Sequence, residues 1–144
     1  MAACAVPFMK FCHQGISCEI DDAWLVKAGM VGFTPSTQAY PVPHCESVDG
    51  NFLEVATQDI QGVSEQRRQG GIFRDSPEGT AQDRVVRILQ GFRLGDALPA
   101  VEVVKTSVTS PRYKLTHGTH RLYCSVAVGF THVPTLPGFD WDAM

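Results

Sequence analysis

The chain has 144 residues, of which 44% are hydrophobic and 19% charged. This length and composition are typical of one domain with a hydrophobic core. The formal net charge of −3 excludes a strong overall attraction to nucleic acid or to an anionic membrane, although a local basic patch stays open. No stretch approaches the roughly 18 apolar residues of a membrane helix, and the apolar N-terminus lacks the basic start of a secretory signal. We expect no membrane partner.

The cysteines indicate a reducing compartment. Their number, five, is odd, and no two of them are spaced as C-x-x-C. A chain of this length does not need disulfides to stabilise its core. We therefore expect reduced thiols and a cytoplasmic protein, with Cys124 packed inside as a small hydrophobic residue.

Residues 1–51 are predicted to form an N-terminal elaboration of the domain. Residues 8–12 and 16–20, FMKFC and ISCEI, are short strand candidates. Asp21 or Asp22 is a suitable N-cap for a short helix that Gly29 would end. The Pro-, Ser- and Gly-rich stretch that follows this helix is typical of an irregular connection.

The next segment contains the strongest helical pattern of the chain. Residues 52–56 alternate like a half-buried strand, and residues 62–79 form a long polar loop. A helix is predicted after Thr80, its N-cap, and Gly91 is expected to end it.

The last third alternates between strand and helix signals. Residues 98–104 and 113–116 are predicted strands, residues 121–128 a helix with Gly129 after it, and residues 130–134 a final short strand. Residues 137–144 are left as a tail. The order of elements predicts an α+β fold in which a small mixed sheet has helices packed against it.

The turn before the last helix carries the strongest functional signal. Gly118 lets a ligand approach the backbone, Thr119 can cap the helix, His120 can donate a ring N–H, and Arg121 can pair with phosphate oxygens. The first turn of a helix also offers unpaired N–H groups and the positive end of the helix dipole. Together these features predict an anion-binding site, whereas ordinary helix capping is the alternative.

This order of elements, together with the stretch YKLTHGTHRLYCSVAVGFTHVP, resembles the ParB/sulfiredoxin superfamily over residues 52–136. The resemblance implies a small α+β domain that binds nucleotide phosphates at Gly118, Thr119, His120 and Arg121. Members of the superfamily include ATP-using and CTP-using proteins and some described as nucleases. The implied cofactor is therefore a nucleoside triphosphate, ATP or CTP, with the Mg²⁺ that normally accompanies it.

Two departures narrow what the resemblance implies. Sulfiredoxins carry a catalytic cysteine immediately before the His-Arg pair, where this chain has Thr119, so sulfinic-acid reduction by that route is not expected. The chromosome-segregation members have a G-E-R-R type box at this place and a helix-turn-helix domain downstream, and neither is found in this sequence. A partition protein is therefore not expected either.

Three arginines outside the turn are further candidates for phosphate contacts. Arg84 and Arg87 are three residues apart and so lie on one face of the predicted helix, which supplies phosphate contacts in sulfiredoxin-like members. Arg68 lies in the long loop, roughly where the resemblance implies an arginine. The alternative for all three is a solvated surface charge.

Glu102 and His120 are the candidates for proton transfer. Alternation puts Glu102 on the face opposite Val101 and Val103, so a structural or solvent-facing role is its alternative. A further hypothesis is a metal site formed by His117, His120 and His132. The simpler interpretation is that these histidines are polar residues at strand ends. No metal is therefore assigned to the protein itself.

Three functions remain open after these arguments. The first is nucleoside-triphosphate binding with phosphoryl transfer or hydrolysis at the Gly-Thr-His-Arg turn. The second is a non-catalytic module that binds a nucleotide or another anion and passes a signal to a partner. The third is a nuclease or a nucleic-acid-binding protein, which the net charge disfavours. A homodimer is compatible with each of the three.

Overall fold

The computed structural model describes residues 8–13, 16–44, 52–61, 77, 79–106 and 112–138. Within these ranges the strands are β1 (Phe8–His13), β2 (Ile16–Asp21), β3 (Leu53–Ala56), β4 (Ile60–Gln61), β5 (Val101–Lys105), β6 (Tyr113–His117) and β7 (His132–Pro137). The helices are α1 (Asp22–Lys27), α2 (Ala81–Leu94) and α3 (Thr119–Val128), and a single 3-10 turn covers Thr57–Asp59.

Five of these strands form one mixed sheet with the order β3-β7-β5-β6-β4. β7 runs antiparallel to β3 and parallel to β5, while β6 runs antiparallel to β5 and parallel to β4. Helix α3 packs against β5, β7 and α2. The predicted α+β class with a small mixed sheet and packed helices is confirmed.

The N-terminal strands form a separate antiparallel hairpin, β1–β2, with His13 opposite Ile16 at its closed end. The hairpin packs on α3 through β1, where the ring centroids of Phe11 and Tyr123 lie 6.3 Å apart. Ile20 of β2 is fully buried in the main core. These contacts make the hairpin part of the same hydrophobic cluster as the sheet.

Helix α1 begins as the sequence predicts. The side chain of Asp21 accepts a hydrogen bond of 2.8 Å from the backbone N–H of Ala23, so Asp21 and not Asp22 is the N-cap. Gly29 has φ +77° just beyond the helix end, in the left-handed region where glycine is favoured.

Helix α2 begins after Thr80, whose hydroxyl accepts a hydrogen bond of 3.0 Å from the N–H of Asp83. The prediction that Gly91 ends this helix is wrong, since α2 continues to Leu94 and Gly95 follows it with φ +73°. A Cβ on residue 91 would lie 3.2 Å from a methyl group of Leu98. Gly91 therefore serves close packing inside the helix, and its neighbour Phe92 is buried.

The last elements differ from the predictions at their ends. Helix α3 begins at Thr119, two residues before the predicted start at Arg121, and β7 covers residues 132–137 where residues 130–134 were expected. The short strand β4 was not predicted, since two residues cannot show an alternating pattern. None of the helices in the described part of the chain is both long and apolar enough to cross a membrane.

Candidate functional site

The turn between β6 and α3 is pressed against the start of β5. Gly118 has φ +103°, a value that a residue with a side chain rarely adopts. A Cβ on this residue would lie only 2.8 Å from Cγ1 of Val101. Glycine is therefore required here both for the backbone conformation and for the close approach to β5.

Gly118 is itself the N-cap residue of α3, and no side chain caps the helix. The expectation that Thr119 caps α3 is wrong, because Thr119 is already the first helical residue. The N–H of Leu122 makes the first helical hydrogen bond, 2.9 Å long, to the carbonyl oxygen of Gly118. The preceding N–H groups belong to the first turn, where no intrahelical acceptor is available and the helix dipole is positive.

An open cleft of about 570 Å³ lies in front of this turn. We call it the cationic cleft, and its lining is formed by α2, the end of β6 and the start of α3: Arg84, Arg87, Ile88, Thr116, His117, Gly118, Thr119, His120 and Arg121. The structure thus brings together six of the predicted site residues, the four of the turn and the two arginines of α2.

The charge of the cationic cleft is positive. Three arginines and two histidines line it, and no aspartate or glutamate is found among its described lining residues. The chain as a whole has a formal net charge of −3. A cleft of one sign concentrates the field and attracts ions of the opposite sign, so this part of the surface favours anions in spite of the overall charge.

The side chain of Arg121 folds back over Gly118. Its Nη2 donates to the carbonyl oxygen of Ala100 over 3.4 Å, which is long for a hydrogen bond. Its Nε is buried, and no hydrogen-bond partner for it exists among the described residues. A buried N–H without an acceptor is unfavourable. Among the described residues, the present position of the guanidinium therefore satisfies few of its five donors.

Other predicted candidates lie away from the cleft. Glu102 is half-buried on β5 between the buried Val101 and Val103, as alternation predicted, and it does not line the cationic cleft. Its backbone oxygen accepts a hydrogen bond of 3.1 Å from the hydroxyl of Thr116. Arg68 lies outside the described residues. Glu102 is therefore not in position to act on a ligand held in the cleft as the structure stands.

The metal hypothesis finds no support in the described part of the chain. There, no three side chains of His, Cys, Asp or Glu come together as metal ligands. His117 and His120 line the cationic cleft, whereas Nδ1 of His132 lies 2.8 Å from the hydroxyl of its neighbour Thr131.

Three lining residues were not predicted as part of the anion site: Ile88, Thr116 and His117, the last of which entered only the metal hypothesis. Thr116 and His117 are neighbours on β6, and simple alternation would bring only one of them to the cleft. The register between β5 and β6 shifts between Glu102 and Val103, so one residue of β6 is extra at this place. The position of Thr116 two residues before Gly118 is the sequence signal that could have suggested it.

A second cavity, the aromatic cleft, has a volume of about 670 Å³. Its lining includes the rings of Phe33, Tyr40, Phe92 and Phe130, which contact one another with centroid distances from 5.1 to 6.5 Å. Polar groups at its edge bond within the protein: the amide of Gln38 donates to Glu54 over 2.6 Å, and Nε of Arg93 donates to the carbonyl oxygen of Ala28 over 3.1 Å.

Cys124 is fully buried on α3. Burial raises the pKa of its thiol far above the ordinary value, so the thiolate needed for redox chemistry is not formed at neutral pH. The prediction that Cys124 acts as a small hydrophobic core residue is confirmed.

Comparison of the chain with known proteins finds no relative. No protein-family model matches the chain, and no significant match exists among curated proteins or solved structures. The resemblance to the ParB/sulfiredoxin superfamily therefore stays a prediction.

Proposed function

We propose that this protein binds the phosphate groups of a nucleoside triphosphate, ATP or CTP, in the cationic cleft. One observation carries the proposal: three arginines, from α2 and α3, converge with a helix N-terminus on a cleft whose described lining contains no carboxylate. Phosphate oxygens suit these groups, because the planar guanidinium can bind two oxygens at once. A volume of about 570 Å³ lies within the usual range for small-molecule sites.

The likeness of the turn to the ParB/sulfiredoxin superfamily supports a nucleotide over other anions. In that superfamily the equivalent turn contacts nucleotide phosphates, and here the turn from Gly118 to Arg121 lines the cationic cleft. Arg84 and Arg87 of α2 line the same cleft and would bind other phosphate groups of the nucleotide. A ParB/sulfiredoxin-like fold is part of this proposal.

The described residues do not form a magnesium site of their own. Mg²⁺ in proteins is usually held by one or two carboxylates together with substrate phosphates, and the described lining offers no carboxylate. Mg²⁺ therefore enters the proposal as a companion of the nucleotide, bound to its phosphates. The arginines bind and orient the remaining phosphate oxygens.

The bound nucleotide has two candidate fates, which differ in whether a base acts on it. In the first, the protein catalyses phosphoryl transfer or hydrolysis, and His120 is the lining residue on which proton transfer would depend. In the second, the protein binds the nucleotide without consuming it and acts on a partner. The position of Glu102 outside the cleft favours the second candidate.

Calorimetric titration tests the proposal. ATP and CTP, each with Mg²⁺, are titrated into the wild type and into Arg121→Ala and Arg87→Ala variants whose folding is checked by circular dichroism. The loss of a charge-assisted contact costs about 1.5–3 kcal/mol, so each variant is expected to bind roughly 10- to 150-fold more weakly. Release of inorganic phosphate from the bound nucleotide then separates the two candidates.

Arg112→Ala is the matched control, because it removes the same charge at the opposite end of β6, where Arg112 pairs with Asp59 over 3.9 Å. Its affinity is expected to equal that of the wild type. If the wild type binds neither nucleotide, or if Arg112→Ala weakens binding as much as Arg121→Ala, the cationic cleft is not a nucleotide site.

A further inference from the structure

His13 occupies an unusual position at the end of β1. It is fully buried, and its Nε2 lies 2.8 Å from the carbonyl oxygen of Ile60 on β4. A carbonyl oxygen only accepts, so Nε2 carries the proton of the neutral ring. The other nitrogen, Nδ1, is also buried, and no hydrogen-bond partner for it exists among the described residues. The ring is thus held as one tautomer, with an unprotonated nitrogen in the interior.

Among the described residues, no side chain supplies a negative charge to His13. From α3, the ring of Tyr123 meets it edge-on at 5.5 Å between centroids. From β4 it faces the carbonyl of Ile60, and on β2 its register partner is Ile16. No charged side chain of the described residues contributes to its pKa, which burial lowers against the smaller, opposing effect of the Ile60 carbonyl.

His13 also contacts two elements outside its own hairpin. The hairpin β1–β2 is a sheet of its own. The bond to Ile60 connects it to the edge strand β4 of the main sheet, and the contact with Tyr123 connects it to α3. Because the bond between the two sheets depends on a single buried tautomer of His13, their contact is sensitive to the protonation of this ring.

We propose that His13 is a pH-sensitive latch that holds the β1–β2 hairpin on the main sheet and α3 when neutral and releases it when protonated. Protonation puts a hydrogen on Nδ1, for which the described residues provide no acceptor, and a positive charge in a buried site where none of them provides a counter-charge. In the released hairpin, water solvates the imidazolium. Because Tyr123 is on the helix whose first turn lines the cationic cleft, release removes a packing partner from that helix.

The direction of the effect is given by proton linkage. The pKa of His13 is lower in the docked state than the value of about 6.5 for a free histidine. The released state therefore binds more protons as the pH falls below about 6.5, and docking is fully favourable above that pH. Between pH 6.5 and the lowered pKa, each pH unit raises the equilibrium constant for release by up to about tenfold. Below the lowered pKa, the equilibrium constant for release no longer changes with pH.

Hydrogen–deuterium exchange of the whole chain between pH 7.5 and 5 tests the latch. Peptides from the hairpin are compared with peptides from β5 in the wild type and in His13→Gln, whose amide can still donate to Ile60 but does not titrate. Comparison of the two proteins at the same pH cancels the intrinsic pH dependence of exchange. We expect wild-type hairpin protection to fall toward acid relative to the variant, by up to about tenfold per pH unit, while β5 protection changes equally in both.

Equal pH dependence of hairpin protection in the two proteins would overturn the proposal, as would a loss in β5 as large as that in the hairpin. An NMR titration of the His13 ring in the wild type covers the case in which His13→Gln does not fold. We expect its ring resonances to titrate below pH 6.5 together with shifts in hairpin amides. A His13 that titrates at or above 6.5, or without those shifts, refutes the latch.

Discussion

The two clefts of this protein are similar in volume but differ in how their polar groups are used. In the aromatic cleft of about 670 Å³, Arg93 bonds to the carbonyl of Ala28 and Gln38 bonds to Glu54. In the cationic cleft of about 570 Å³, Arg121 has one long bond to Ala100 and a buried Nε for which the described residues offer no acceptor. Polar groups that are already paired maintain a structure, whereas donors in excess of acceptors favour a ligand.

The backbone around the two clefts shows the same difference. Beside the aromatic cleft, residues 38–41 make hydrogen bonds to distant parts of the chain: Tyr40 donates to the carbonyl of Pro99 over 2.6 Å, and the N–H of His132 donates to the carbonyl of Gln38 over 2.9 Å. The cationic cleft instead contains a helix start without a side-chain cap. The proposed function thus predicts a division in which the aromatic cleft serves folding and the cationic cleft serves binding, and three substitutions test this division.

Phe130→Ala should have the largest effect and should change stability alone. Phe130 is 7% exposed and contacts the rings of Phe92, Tyr40 and Phe33. Removal of a buried phenyl ring costs about 3–5 kcal/mol in unfolding free energy, measured by urea denaturation. The nucleotide affinity of the folded protein should not change. Phe130→Leu should lower the unfolding free energy by less than half as much as Phe130→Ala. A folded Phe130→Ala protein that no longer binds nucleotide would break the division between the clefts.

Gly118→Ala should affect both stability and binding. The left-handed conformation costs an alanine about 1–2 kcal/mol, and overlap with Val101 adds about 1–3 kcal/mol. Gly32→Ala is the matched control, since Gly32 also has a positive φ but nothing lies within 4 Å of its would-be Cβ. The control isolates the conformational cost, again about 1–2 kcal/mol, and should leave nucleotide affinity intact. If the two variants lose the same stability, the turn is not pressed against β5.

Local sequence patterns were sufficient for most elements of the fold. Thr80 and the apolar stripe after it predicted the start of α2, because capping and helical periodicity depend on neighbours in the chain. The prediction for Gly91 failed, because its role comes from contact with Leu98 and not from the helix end. The short strand β4 depends on pairing with β6, which no local pattern encodes.

The candidate site was predictable by residue type but not by arrangement. Gly118 and Arg121 stand out in sequence, since a glycine directly before a cationic helix start is a typical setting for anion binding. The approach of Arg84 and Arg87 to them results from the packing of α2 on α3, which sequence spacing does not determine. Glu102 was correctly placed on the opposite face by alternation, yet only the lining of the cleft shows which face the ligand would use.

Glu54→Gln should have the smallest effect. The carboxylate of Glu54 accepts from Gln38 over 2.6 Å, but both side chains are exposed, and water replaces an exposed contact at little cost. We expect the unfolding free energy to change by less than about 0.5 kcal/mol and nucleotide affinity to be unaltered, because the charge removed is at the aromatic cleft. A loss above about 1 kcal/mol, well beyond what such surface changes cost, would mean that this pair supports the 36–41 segment. Tighter nucleotide binding by Glu54→Gln would mean that the aromatic cleft also senses the anion, and the division between folding and binding surfaces would then fail.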